Sequence, residues 1–169
     1  MRVIIRGKEV GEGAGAITRV LFQSGVTSRT DVKHTKVAGT PVEIHSDKKI
    51  KVSVTFENTG SESIYGMFFV EIFYADSLTD SSGDPETDYN TWMEEWEGFD
   101  GYISSTTTMN PGDSWTFVGN DPPPANRWAE GTVIDAGVIV GCVDVSTWVA
   151  YFYDSLKITD AVKIIAPSA

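Results

Sequence analysis

The chain predicts a single-domain, all-β antiparallel sandwich, and three observations carry that prediction. Val, Ile, Thr, Phe, Tyr and Trp dominate the patterned stretches, and long Ala/Leu/Glu/Lys runs are missing. Short strand-length segments recur with turn signals about 8–15 residues apart. The 169 residues suffice to bury a sandwich core without disulfide staples.

In chain order, residues 1–15 read as an N-terminal arm and residues 16–169 as the sandwich. Met1–Arg6 has the composition of a short strand, and Gly11-Glu12-Gly13-Ala14-Gly15 that of a hinge. Ala16–Phe22 is a first strand, Gln23–Lys36 a polar loop, and Pro41–His45 an edge strand. Ile50–Glu57 alternates strictly, with Ile50, Val52, Val54 and Phe56 on one face. After the turn Asn58–Ser63, the run Tyr65–Tyr74 is apolar on both sides, as a central strand is. Met67, Phe69, Glu71 and Phe73 face one way there, and Phe68, Val70, Ile72 and Tyr74 the other.

Residues 76–101 form an acidic and aromatic insertion, with a short helix over Asn90–Glu97 capped by Asn90 or Thr91. It is expected to lie outside the sandwich and to tolerate charge changes. Tyr102–Thr108 and Ser114–Val118 are strands about the tight turn Met109–Asp113. Asp121–Pro124 is a rigid connector, and strands over Thr132–Val143, Trp148–Tyr153 and Ala161–Ile165 complete the set. The expected core is Val52, Val54, Phe56, Phe68, Val70, Ile72, Val138 and Val140.

Three stretches carry a family resemblance. They are Lys51–Ser61 with its Asn58-Thr59-Gly60 turn, Asn110–Phe117 with Pro111-Gly112 ahead of a strand, and Asp135–Gly141. Together they resemble the cell-adhesion-related (CARDB-like) modules of prokaryotic surface proteins and viral structural proteins, over roughly residues 40–165. The resemblance implies an immunoglobulin-like antiparallel sandwich with no shared catalytic residues. The arm and the insertion depart from the compact module.

Charge is unevenly placed. Residues 1–51 hold ten Lys/Arg against five acids, whereas residues 52–126 hold fourteen acids and no Lys, Arg or His. The net charge of −11 argues against nucleic-acid binding. It leaves two readings of the acids: solvated loops, or a face that meets the basic arm of a neighbouring copy. The assembly candidates are Arg2, Val3, Ile4, Ile5, Arg6 and Lys8, in a segment that either pairs with another copy or another protein or forms a first strand of the domain's own sheet. The three-residue apolar run in this segment is no secretory signal, and no stretch approaches membrane-spanning length.

Candidate chemistry is sparse. One cysteine, Cys142, sits in an apolar run and reads as a buried, inert thiol. The only histidines, His34 and His45, lack metal-site or triad spacing. Asp76, Asp80, Asp84, Glu86 and Asp88 are close enough in sequence to suggest Ca²⁺. EF-hand spacing fails, with Pro85 and Thr91 where Gly and Glu are needed, so a solvated loop is preferred. Glu94, Glu95 and Glu97 lie among Trp92, Trp96, Phe99 and Tyr102. That local cluster suits a glycan-stacking platform, a hydrophobic tuck or a subunit contact better than a glycosidase cleft.

The resulting expectation is a non-enzymatic structural protein without cofactors, partnered by copies of itself or other structural proteins. A virion component (capsid, decoration or tail) assembled in a host cytoplasm comes first. A surface filament subunit, or an extracellular module binding a glycan or cell surface through Trp92, Trp96 and Phe99, is the alternative.

Overall fold

The computed structural model describes residues 15–33 and 39–169. The assembly residues Arg2–Lys8, most of the expected hinge and His34 lie outside them. Gly15, the hinge's last residue, is buried against the Phe56 ring and the Tyr153 Cβ.

Two sheets pack face to face as an all-β sandwich. One has the order β2 (Ser28–Asp31), β1 (Ala16–Gln23), β4 (Val52–Glu57), β7 (Ser114–Val118). The other has the order β3 (Val42–His45), β9 (Val149–Ile165), β8 (Val133–Asp144), β5 (Ile64–Ala75), β6 (Gly98–Met109). Pairing is antiparallel except for β3, which runs parallel to β9 at an edge of the second sheet. That pair departs from the purely antiparallel expectation.

The interior follows the alternation. Val52, Val54 and Phe56 of β4 meet Phe68, Val70 and Ile72 of β5 and Val138 and Val140 of β8, and all eight are buried. Phe56 and Phe68 pack with ring centroids 6.1 Å apart. Cys142 belongs to the same core, where burial pushes its thiol up to about 12.

Asn58, expected only as a turn residue, is fully buried and ties two turns together. Its side-chain amide donates to the carbonyls of Glu62 and Met109, and its backbone carbonyl accepts from Gly112. The Asn-Thr-Gly and Pro-Gly turns are therefore one hydrogen-bonded unit.

The structure corrects several expectations. The loop expected over Gln23–Lys36 contains β2, whose polar sequence Ser-Arg-Thr-Asp hid it. Arg29 and Asp31 are both buried and form a two-bond ion pair, at 2.8 and 3.1 Å. Arg29 also donates to the Asp160 carbonyl at 2.6 Å, linking β2 to β9 of the other sheet. The two final strands are one 17-residue strand, β9, with register shifts and a left-handed residue at Asp160 (φ 50°). The helix, α1 (Pro85–Glu95), starts five residues before Asn90, so Asn90 and Thr91 lie inside it and cap nothing. Pro85 at its first turn is the sequence signal that marked the true start. Residues 98–101 belong to β6, so the insertion ends at Glu97.

The insertion lies on the outer face of the five-stranded sheet and is anchored there. Trp92 is fully buried with Phe73, Leu78 and Ile139, and its indole N–H donates to the Thr79 carbonyl at 2.8 Å. Space for the ring comes from Gly137 of β8, where a Cβ would lie 2.6 Å from Trp92 Cε3. Asp88 is buried too and accepts hydrogen bonds from Ser81, Ser82 and Ser155, the last at 2.6 Å from β9. A charge change at Asp88 would therefore remove bonds that anchor the insertion to β9.

Candidate functional site

The outer face of the five-stranded sheet is covered by α1 at one end only. Beyond the helix, the outward residues of β5, β6, β8 and β9 leave a groove of about 460 Å³. Alternation places them: Phe69 and Glu71 from β5, Gly101 and Ile103 from β6, Val143 from β8, and Ala150 and Phe152 from β9. Tyr89 of α1 closes the covered end, and Asn120 and Asp121 stand on the rim.

The walls are mostly aromatic. Phe69 and Phe152 meet edge-on at 5.8 Å, and Tyr89 leans on Phe152 at 5.0 Å. Gly141 of β8 leaves the room that Phe69 fills. The rim loop is held by Asp100, whose Oδ1 accepts the Asp121 N–H at 3.1 Å, and by the Asn120 N–H, which donates to the Gly101 carbonyl at 3.2 Å. Burial pushes the Asp100 carboxyl up, against the backbone bonds from Asp121 and Gly101 that pull it down.

Glu71 is the unusual group. It sits between Gly101 of β6 and Ile139 of β8 in the sheet. Its Oε2 is buried and accepts no hydrogen bond among the described residues. Desolvation pushes its carboxyl up to about 7. Burial and the nearby Glu71 charge also push the Tyr89 phenol up. A carboxyl so placed has the chemistry to accept a donor, and gains most from a cationic one.

The aromatic cluster expected at the insertion is divided by the fold. Trp92 is buried in the helix–sheet contact and is withdrawn as a ligand contact. Trp96 and Phe99 are exposed and paired at 6.0 Å, with Phe99 lining the groove. Tyr102 turns toward the space between the sheets, 5.5 Å from Phe117, while still lining one side of the groove. Glu95 and Glu97 are used locally, by Thr79 and by Asp76 and Trp128.

The five acidic residues do not converge, and among the described residues no group of three potential ligands is placed to hold an ion. Asp80 pairs with Lys157 at 2.8 Å, and Asp88 holds its serines. Sequence reasoning passed over Glu71, Tyr89 and Phe152. The available signal was Glu71 itself, a carboxylate on the same face as Met67, Phe69 and Phe73.

A second, basic cleft of about 670 Å³ lies beside β1 and β4, with Lys48, Lys49 and Lys51 on its walls. Among the described residues, no helix is long and apolar enough to cross a membrane.

No family model matches the chain, and no curated protein does. Among solved structures, a β-glucosidase from Listeria innocua in complex with glucose is similar at 15% identity and a TM-score of 0.37. That likeness covers 79% of this chain and 16% of the β-glucosidase chain, and carries no argument about activity.

Proposed function

We propose that the chain is a non-enzymatic structural module that works by packing against other proteins, copies of itself first among them. The observation that carries this reading is the open end of the outer sheet face. There Phe99 and Ile103 are 37% and 54% exposed in an aromatic groove, and Trp96, 42% exposed, packs against Phe99. Exposed apolar surface gathered in one place, with a polar rim, is the physical signature of a protein contact. The separation of an acidic groove from a basic cleft adds complementarity between copies.

A virion component is the favoured setting and a surface filament the alternative. Both draw on the resemblance of the two turns joined by Asn58 to those of surface and viral modules. Light scattering of the purified chain tests the reading. Concentration-dependent assembly is expected, and Ile103→Asp should suppress it while leaving the fold intact. A monomer at every concentration would overturn the proposal.

A second reading, glycan or cell-surface binding, is favoured by the exposed Trp96–Phe99 pair. Its measurement is binding of the isolated chain to immobilised glycans, abolished by Trp96→Ala.

A further inference from the structure

We propose that the groove receives the N-terminal segment Arg2–Lys8 of a second copy, a basic side chain of that segment meeting the Glu71 carboxyl while Val3, Ile4 and Ile5 lie on the rings. The inference rests on the assembly reading and names its contact.

The first argument is an unmet hydrogen-bonding demand. Glu71 Oε2 is buried without a donor, on a surface whose other walls are chiefly Phe69, Tyr89, Ile103 and Phe152. Leaving a buried acceptor unsatisfied is costly, and a charged donor on an apolar stem answers the demand best. A sugar would bring several hydroxyls to a groove with few polar groups to receive them.

The second argument is charge and pattern complementarity. Residues 52–126, which supply Glu71, Tyr89, Ile103 and Asp121, contain no Lys, Arg or His. The segment Arg2-Val3-Ile4-Ile5-Arg6-Gly7-Lys8 places three apolar residues between cations. The groove is lined by aromatic rings and by two acids, Glu71 and Asp121.

The third argument is the sheet edge. The five-stranded sheet ends at β6, so the outer side of that strand has no strand partner among the described residues. Ile103 of β6 lines the groove, so a segment lying there also reaches the edge of that strand beyond Gly101, whose own N–H and carbonyl are bonded to Asp100 and Asn120.

The test uses the full-length chain and a fluorescent peptide of residues 1–10, followed by anisotropy at pH 8 and low salt. Saturable binding is expected. It should weaken at least about tenfold in Glu71→Gln, which keeps the side-chain shape but removes the charge. Ile103→Ser should weaken it too, and a peptide with Arg2, Arg6 and Lys8 replaced by Ser should not bind. Absence of saturable binding would overturn the inference, as would equal binding by wild type and Glu71→Gln. A groove that takes 2-phenylethylammonium but not the peptide is a small-amine site, and the inference is then wrong. Assembly that persists in Glu71→Gln when the peptide does not bind would leave the structural-module reading standing and remove this contact from it.

Discussion

The two ends of one sheet face behave differently. At the helix-covered end, Trp92 drops over Gly137, its N–H is satisfied by Thr79, and Asp88 gathers three serines. At the open end, Phe69 fills the room over Gly141, but among the described residues no helix lies over the groove and Glu71 Oε2 accepts no hydrogen bond. The same strands run through both ends. The contrast teaches that burial of the outer face is decided by how far the insertion reaches, since the outward residues of β5 are apolar on both sides of Glu71, Met67 and Phe69 as well as Phe73. The covered end is built for stability, and the open end retains the unmet apolar and polar demand that a partner can answer.

The largest expected effect breaks the covered end. Trp92→Ala removes a fully buried indole and should cost about 3–5 kcal/mol in a denaturant titration, similar to Phe68→Ala on the inner face. A cost under about 1 kcal/mol would show that α1 is a detachable cover.

Next comes Asp88→Asn. The amide can keep some of the serine contacts but loses the charge that strengthens them, so a loss of about 1–3 kcal/mol is expected from the same titration. Burial pushes the Asp88 carboxyl up, yet the bonds from Ser155, Ser81 and Ser82 prevail and hold it below the ordinary value of 3.8. Its stabilising contribution is therefore present above that value and lost as pH falls through the lower folded one. Asp88→Asn should flatten the acid limb of a thermal-stability profile.

Glu71→Gln probes the open end and should act in the opposite sense. The folded carboxyl titrates near 7 against an ordinary 4.5, so the folded state keeps a proton that the unfolded chain has released. Stability is full below 4.5 and declines as pH rises toward 7. At a concentration where the chain is monomeric, wild type and variant should melt alike at pH 4, with the variant melting higher at pH 8. A variant less stable at pH 8 under those conditions would mean that the carboxylate has a partner within one copy.

The smallest effect belongs to Ile103→Ser. At 54% exposure it should change monomer stability by no more than about 0.5 kcal/mol, while reducing assembly. A large loss of monomer stability would mean that this end is already covered within one copy.

Much of the inner architecture was legible in the chain. The alternation of Val52–Glu57 and the facing of Phe68, Val70 and Ile72 mark the interior, because strand periodicity is a local property of neighbouring residues. Ser114–Val118 was readable from its Pro-Gly turn. Strand β2 was not readable, because Arg29 and Asp31 are buried as an ion pair and leave no apolar signature. The continuity of β9 was hidden by the polar stretch around Thr159 and Asp160, where the backbone bends and Asp160 N–H finds Asp135 at 2.9 Å. Glu71 was visible as a misplaced charge, but its surroundings come from four strands, a helix and a loop.

The amino-acid sequence by itself determined the all-β class, the inward set of β4 and β5, the turns at Asn58 and Pro111, and the separation of basic from acidic segments. Each follows from residue type and spacing over a few positions. Only the tertiary structure decided that Trp92 is core and Trp96 is surface, that Asp88 anchors the insertion, and that Glu71 lies desolvated in an open groove. Burial depends on which distant segment lands on a face, and here α1 ends before it has covered the sheet beneath it.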